Sequence, residues 1–204
     1  MRVLFTALAM LAVACATPQA TQAQAQPAAQ VQQFVLDPAH TQVAFSIERF
    51  GFNYVLGRFD TIAGSVSLDQ ANPERSSVTA TIQTASVSSG NATRDEHLRA
   101  ARWLDAAQFP TMEFRSTSVR QTGAQTAEVI GNLTLHGITA PVTLTVTLNQ
   151  VGASPSNGAQ AAGFSATGTL SRSAFGITTA ANLIGDQVRI TIEALGQAAT
   201  TPAN

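Results

Sequence analysis

Three histidines are the side chains best suited to moving a proton near neutral pH: His40, His97 and His136. His40 follows Asp37-Pro38, His97 follows Asp95-Glu96, and His136 stands in the run Leu-Thr-Leu-His-Gly-Ile-Thr. An imidazole beside a carboxylate can act as a general base. The spacing argues against zinc, because no two histidines are placed as i,i+2 on a strand or i,i+4 on a helix. A nucleophile elbow, a phosphate loop and a CxxC pair are also missing from the sequence. A structural role for each histidine, closing a turn or a helix end, is preferred to catalysis.

The second concentration of chemistry is charge. Arg94, Asp95, Glu96, Arg99, Arg102 and Asp105 place six charged side chains within twelve residues. The segment reads as a helix. Thr93 can cap it, with Glu96 three residues on to complete a capping box. Asp95 and Arg99 are four apart and can meet on the outer face. Leu98, Ala101 and Leu104 recur at helical spacing, and Pro110 stops the pattern. Arg99 and Arg102 are expected on a solvated face. Arg94 and Asp95 are expected to pin the helix start to a neighbouring strand. Arg172, in Leu-Ser-Arg-Ser-Ala-Phe-Gly-Ile, is either their partner or a polar contact for a ligand head group, and the sequence leaves both open.

Most of the remaining chain has period two. Val142, Leu144, Val146 and Leu148 alternate with three threonines, and similar alternation recurs around Val43, Val78, Met112, Leu133, Phe164 and Val188. Turn signals separate the runs at Asn72-Pro73, residues 121–123, His136-Gly137 and residues 153–158. About eight strands with hairpin-length connections predict an all-β antiparallel up-and-down barrel, with the helix packed against it as a lid. A sandwich fits the same pattern. Taking the apolar phase as inward gives a lining of Val43, Phe45, Ile47, Met112, Phe114, Leu133, Leu135, Val142, Leu144 and Phe164.

The composition narrows the function. The 204 residues carry a net charge of -1, and all eleven basic side chains are arginine, without any basic run. Nucleic acid is therefore not an expected partner. Hydrophobic residues make up 45% of the chain and charged ones 11%, and ten Phe stand against one Trp and one Tyr. Phenylalanine with Val, Leu and Ile suits a dry interior, whereas sugar and base platforms use Trp and Tyr.

Residues 1–25 read as a secretory signal peptide. Arg2 supplies the positive start, residues 3–13 are apolar but too short to span, and Ala23-Gln24-Ala25 has a cleavable form. Ala12-Val13-Ala14-Cys15 approximates a lipoprotein box, so lipidation of Cys15 is the alternative ending. Cys15 is the single cysteine, and a disulfide within the chain is excluded. Residues 26–33 are expected as a flexible tether, 34–196 as the folded domain and 197–204 as a disordered tail. The expected location is the periplasm.

Seven segments carry a resemblance: DPAHTQVAFSI, GRFDTIAGSVSLD, TRDEHLRAARWLD, FPTMEFRS, GNLTLHGITAPVTL, LSRSAFGI and IGDQVRITIE. In this order they resemble the signature blocks of the YceI-like family. The resemblance implies a lipocalin-like, eight-stranded antiparallel barrel with a helix against it. It further implies a periplasmic, often homodimeric protein that holds a polyisoprenoid or quinone-like lipid in an apolar tunnel, requires no cofactor and shares no catalytic chemistry. One departure is Ala140, where the family often carries lysine after His-Gly-Ile-Thr.

The leading expectation is thus a carrier for an apolar chain, meeting a membrane only through ligand exchange or a lipidated Cys15. An enzyme acting on a lipid-like substrate, with His40, His97 or His136 as base, is the alternative. An outer-membrane barrel is disfavoured, because one Trp and one Tyr cannot form aromatic girdles.

Overall fold

Valine, leucine and isoleucine alternate with threonine and serine over most of the chain, and a sheet with one dry face follows from that pattern. The computed structural model describes residues 31–199. The expected signal peptide, Cys15 and the end of the tail lie outside the described residues. In chain order the strands are β1 (Gln32–Leu36), β2 (Gln42–Arg49), β3 (Asn53–Phe59), β4 (Ile62–Leu68), β5 (Ser77–Gln83) and β6 (Val87–Ser88). The helix α1 (Ala92–Arg99) follows, then β7 (Thr111–Gln121), β8 (Thr126–Leu135), β9 (Ile138–Ala153), β10 (Gln160–Ser171) and β11 (Ile184–Ala198).

These eleven segments make an eight-stranded barrel, because the first three staves are each broken once. β1 and β2 lie along β11 with a corner at residues 37–41 between them, and β1 closes the ring through Phe34 opposite Ala198 and Leu36 opposite Gly196. β3 and β4 form the second stave, pairing with β2 and β1. β6 and β5 form the third, pairing with β3 and β4. From β7 onward each strand pairs in full with the next, antiparallel throughout. Closure leaves few open sheet edges. The part of β3 beyond Arg58 is one of them, since β6 reaches only Arg58 and Phe59.

Turns follow local chemistry. His136 and Gly137 both have positive φ, 53° and 75°, and form the two-residue link between β8 and β9. That backbone matches the twist of a hairpin, and glycine adopts it without strain. At the β4–β5 turn the fully buried Asp69 accepts the amides of Ala71 and Asn72, closing a tight loop ahead of Pro73.

Three expectations need correction. The barrel starts at Gln32 and runs to Ala198, so Gln32, Gln33, Gln197 and Ala198 belong to strands rather than to tether or tail. Ala199 also donates its amide to Gln33. The helix is shorter than its apolar spacing suggests: it ends at Arg99, and Ala101 and Leu104 lie in the turns that lead to β7. Its cap is Asn91, whose side chain accepts the Arg94 amide at 3.0 Å, and Thr93 is an exposed residue of the first turn. Asparagine is at least as good a cap as threonine, and here it occupies the residue with extended backbone.

Candidate functional site

The inward faces of the strands do not meet at the barrel axis. They surround a cavity of about 1030 Å3 whose lining reaches from the β2–β3 hairpin and α1 at one end to Gln70, Pro73 and residues 123–126 at the other. A barrel of eight strands is just wide enough to be filled by side chains or to keep room for one slender ligand. Here part of the filling is withheld. Gly57 and Gly131 face inward, and the rings of Phe45 and Phe114 lie over them rather than across the axis.

All ten side chains expected to face inward line this cavity: Val43, Phe45 and Ile47 on β2, Met112 and Phe114 on β7, Leu133 and Leu135 on β8, Val142 and Leu144 on β9, and Phe164 on β10. The lining also holds Val78, Ala80 and Ile82 of β5, and Val188, Ile190 and Ile192 of β11. Their alternation is visible in the sequence and follows the same rule. Val119 is different. β7 changes register between Ser116 and Ser118, and this bulge brings the odd-numbered Val119 to the face occupied by Met112 and Phe114. A two-residue count alone puts it outside.

Among the described residues no Asp or Glu lines the cavity, and the four arginines that do, Arg49, Arg94, Arg102 and Arg172, belong to the end carrying α1. Two of them are committed to structure. Arg94 donates to the hydroxyl and the carbonyl of Ser89 at 2.7 and 2.8 Å, while Asp95 accepts the Ser89 amide at 2.8 Å. The pair thus ties α1 to the end of β6. Arg172, only 4% exposed, donates to the carbonyls of Gly185, Ile177, Thr179 and Ile184. Burial lowers its pKa, against the nearby Asp186 carboxylate, which favours the charge. Arg172 is therefore the clamp of the β10–β11 loop and not the partner of Arg94 and Asp95. It also lies 5.7 Å from the Trp103 ring, which lines the cavity beneath the helix segment.

Two further expectations change. Asp95 turns inward to Ser89 and does not meet Arg99. Arg99, expected in solvent, donates to the carbonyls of Ala85 and Val87 at 2.7 and 2.9 Å. Backbone carbonyls left free by the break between β5 and β6 capture it, a non-local cause that helical spacing does not carry.

The histidines are scattered. His40 is exposed and its Nδ1 lies 2.9 Å from Asp37, away from the cavity lining. His136 sits 3.2 Å from the Phe175 carbonyl and edge-on to Phe109. His97 is exposed on α1 at the cavity rim. No group of three or more His, Cys, Asp or Glu side chains that could hold a metal ion occurs among the described residues.

A closed antiparallel barrel around an apolar cavity, with its arginines gathered at one mouth, defines a lipocalin-like architecture. Residues 34–195 match the YceI-like domain, and the chain belongs to that family. A UPF0312 protein from Pseudomonas putida is 43% identical over 138 residues, covering 68% of this chain and 71% of its own. Among solved structures, BcnA from Burkholderia cenocepacia superposes with a TM-score of 0.72 at 26% identity, over 81% of this chain and 99% of its own. A polyisoprenoid binding domain from Saccharophagus degradans shares the fold, with a TM-score of 0.60 at 14% identity over 83% of this chain and all of its own.

Proposed function

We propose that this protein is an exported carrier that holds one long apolar chain, of polyisoprenoid or isoprenoid-quinone type, inside the barrel. The observation that carries this reading is the cavity itself: about 1030 Å3, walled mainly by aliphatic and Phe side chains, with no acidic residue among the described residues that line it. At about 30 Å3 per water-sized group, that volume takes about 35 non-hydrogen atoms in a row or a loose fold, roughly seven isoprene units. Burial at ~25 cal/mol per Å2 of apolar surface is enough to hold such a chain with few polar contacts. The Saccharophagus degradans domain of the same fold, described as polyisoprenoid binding, supports the choice of ligand. The leader at residues 1–25 supports export to the periplasm.

The head group belongs at the mouth beside α1. Asn91, Thr93, His97 and Arg102 line that end, so carbonyl or phosphate oxygens would find donors there and a cationic group would not. Catalysis has less support, because His40 and His136 lie off the cavity lining and only His97 stands at its rim.

Trp103 is the single tryptophan and lines the cavity, so its fluorescence reports on occupancy. Titration of delipidated protein with a long-chain isoprenoid quinone should quench Trp103 saturably, at one quinone per chain. Linear quenching, no stronger than for free tryptophan, would sink the carrier reading.

A further inference from the structure

The mouth of the cavity is edged by large apolar side chains that face water. Phe52, at the β2–β3 turn, is 92% exposed, and Phe50 and Leu183 beside it are 41% and 54% exposed. Phe50 and Leu183 belong to one unit, since the Phe50 amide donates to the Leu183 carbonyl at 2.8 Å. Both also line the cavity. The apolar surface therefore runs unbroken from the barrel interior to the outer tip. Tyr54 and Leu56, exposed on one face of β3 just after the turn that holds Phe52, extend it down the outer wall.

Charge is absent from this tip. Residues 50–56 and 176–184, the two segments that build it, contain no Asp, Glu, Lys or Arg. The charges lie behind them, where Arg102 also lines the mouth. Glu48 accepts the Gly51 amide, Arg49 stacks on Phe50 at 3.9 Å, and Arg189 stacks on Tyr54 at 4.6 Å. Apolar side chains in front, with a tyrosine and arginines behind, match the order of acyl chains, glycerol region and head groups in a bilayer leaflet.

Resting on the carrier reading, we propose that this tip docks the barrel on a lipid bilayer, with Phe50, Phe52 and Leu183 entering the leaflet so that the cavity mouth opens toward its acyl chains. A bilayer is favoured over a protein partner because Phe50 and Leu183 serve both surfaces. A protein seated on them would stopper the mouth, whereas a leaflet would continue it. Three side chains give weak, reversible partitioning, which suits loading and release.

The test is flotation of the mature, unlipidated protein, lacking residues 1–25, with vesicles of phosphatidylcholine alone and with added phosphatidylglycerol, at low and high salt. The wild type should float with both, with little effect of salt. Phe52→Ser should lower partitioning about tenfold, while Val35→Ser, which removes an apolar side chain about as exposed as Leu183 but far from the mouth, should leave it unchanged. Phe52 does not line the cavity, so quinone quenching of Trp103 should persist in Phe52→Ser, and that arm reports on the carrier reading separately. No flotation with either vesicle would overturn the proposal even if quinone binds. Binding only to anionic vesicles, abolished by salt, would overturn it in favour of arginine adsorption. Sedimentation showing that Phe52→Ser disperses a dimer without changing flotation would assign the tip to a second copy instead.

Discussion

The ring of Phe45 lies over Gly57, its directly opposed residue on the next strand. A Cβ at Gly57 would fall inside the van der Waals surface of that ring. Gly57→Ala should therefore force Phe45 toward the cavity axis and cost about 1–3 kcal/mol by overpacking. Phe45→Leu should relieve the clash, so the two effects should not add in urea unfolding. Additivity to within about 0.5 kcal/mol would mean that the ring and the glycine are not coupled.

The position of the helix cap gives a second prediction. Asn91→Ala should lower stability by about 1 kcal/mol, because the Arg94 amide loses its acceptor. Thr93→Ala should stay within about 0.5 kcal/mol, as for an exposed residue without a special role. The reverse order in thermal melts would restore Thr93 as the cap.

How much of this was legible in the sequence follows from which forces are local. The inward set was readable because period-two alternation and burial coincide, as on β9. The hairpin at His136-Gly137 was readable because its backbone demands such residues. The helix end was not, because Ala101 and Leu104 keep helical spacing although the chain has already turned at Ala100. Val119 was hidden by a bulge, and Arg99 by carbonyls twelve and fourteen residues away. Arg172 was recognised as a polar residue at a strand end, but its four acceptors lie on the β10–β11 loop and the first residues of β11, whose path only the fold defines.

Arg172 yields the third prediction. Arg172→Met removes four donors from buried or half-buried carbonyls and should cost roughly 3 kcal/mol or more. Arg172→Lys should recover little, since one ammonium cannot reproduce the planar fork. Full stability of the lysine variant in urea would show that charge alone, rather than the geometry of the fork, holds the β10–β11 loop.

A pH dependence follows from Asp37. Its hydrogen bond with His40, with help from the Ala39 amide and Gln197, holds the carboxyl below the usual carboxylate pKa. A group depressed in the folded state adds stability above its unfolded value and loses it as pH falls through the folded one. The advantage of wild type over Asp37→Asn should be constant near neutrality and fade below about pH 4. An equal difference in Tm at pH 3 and pH 7 would contradict the assignment.

The central claim is that the barrel holds a long apolar chain. Native mass spectrometry of protein purified without detergent and offered a polyisoprenoid alcohol or quinone tests it most directly. The wild type should carry one such molecule per barrel, and a folded Leu144→Trp variant, with the indole projecting into the cavity, should carry none. A wild-type spectrum showing only the bare chain at saturating lipid, or full occupancy in folded Leu144→Trp, would contradict it.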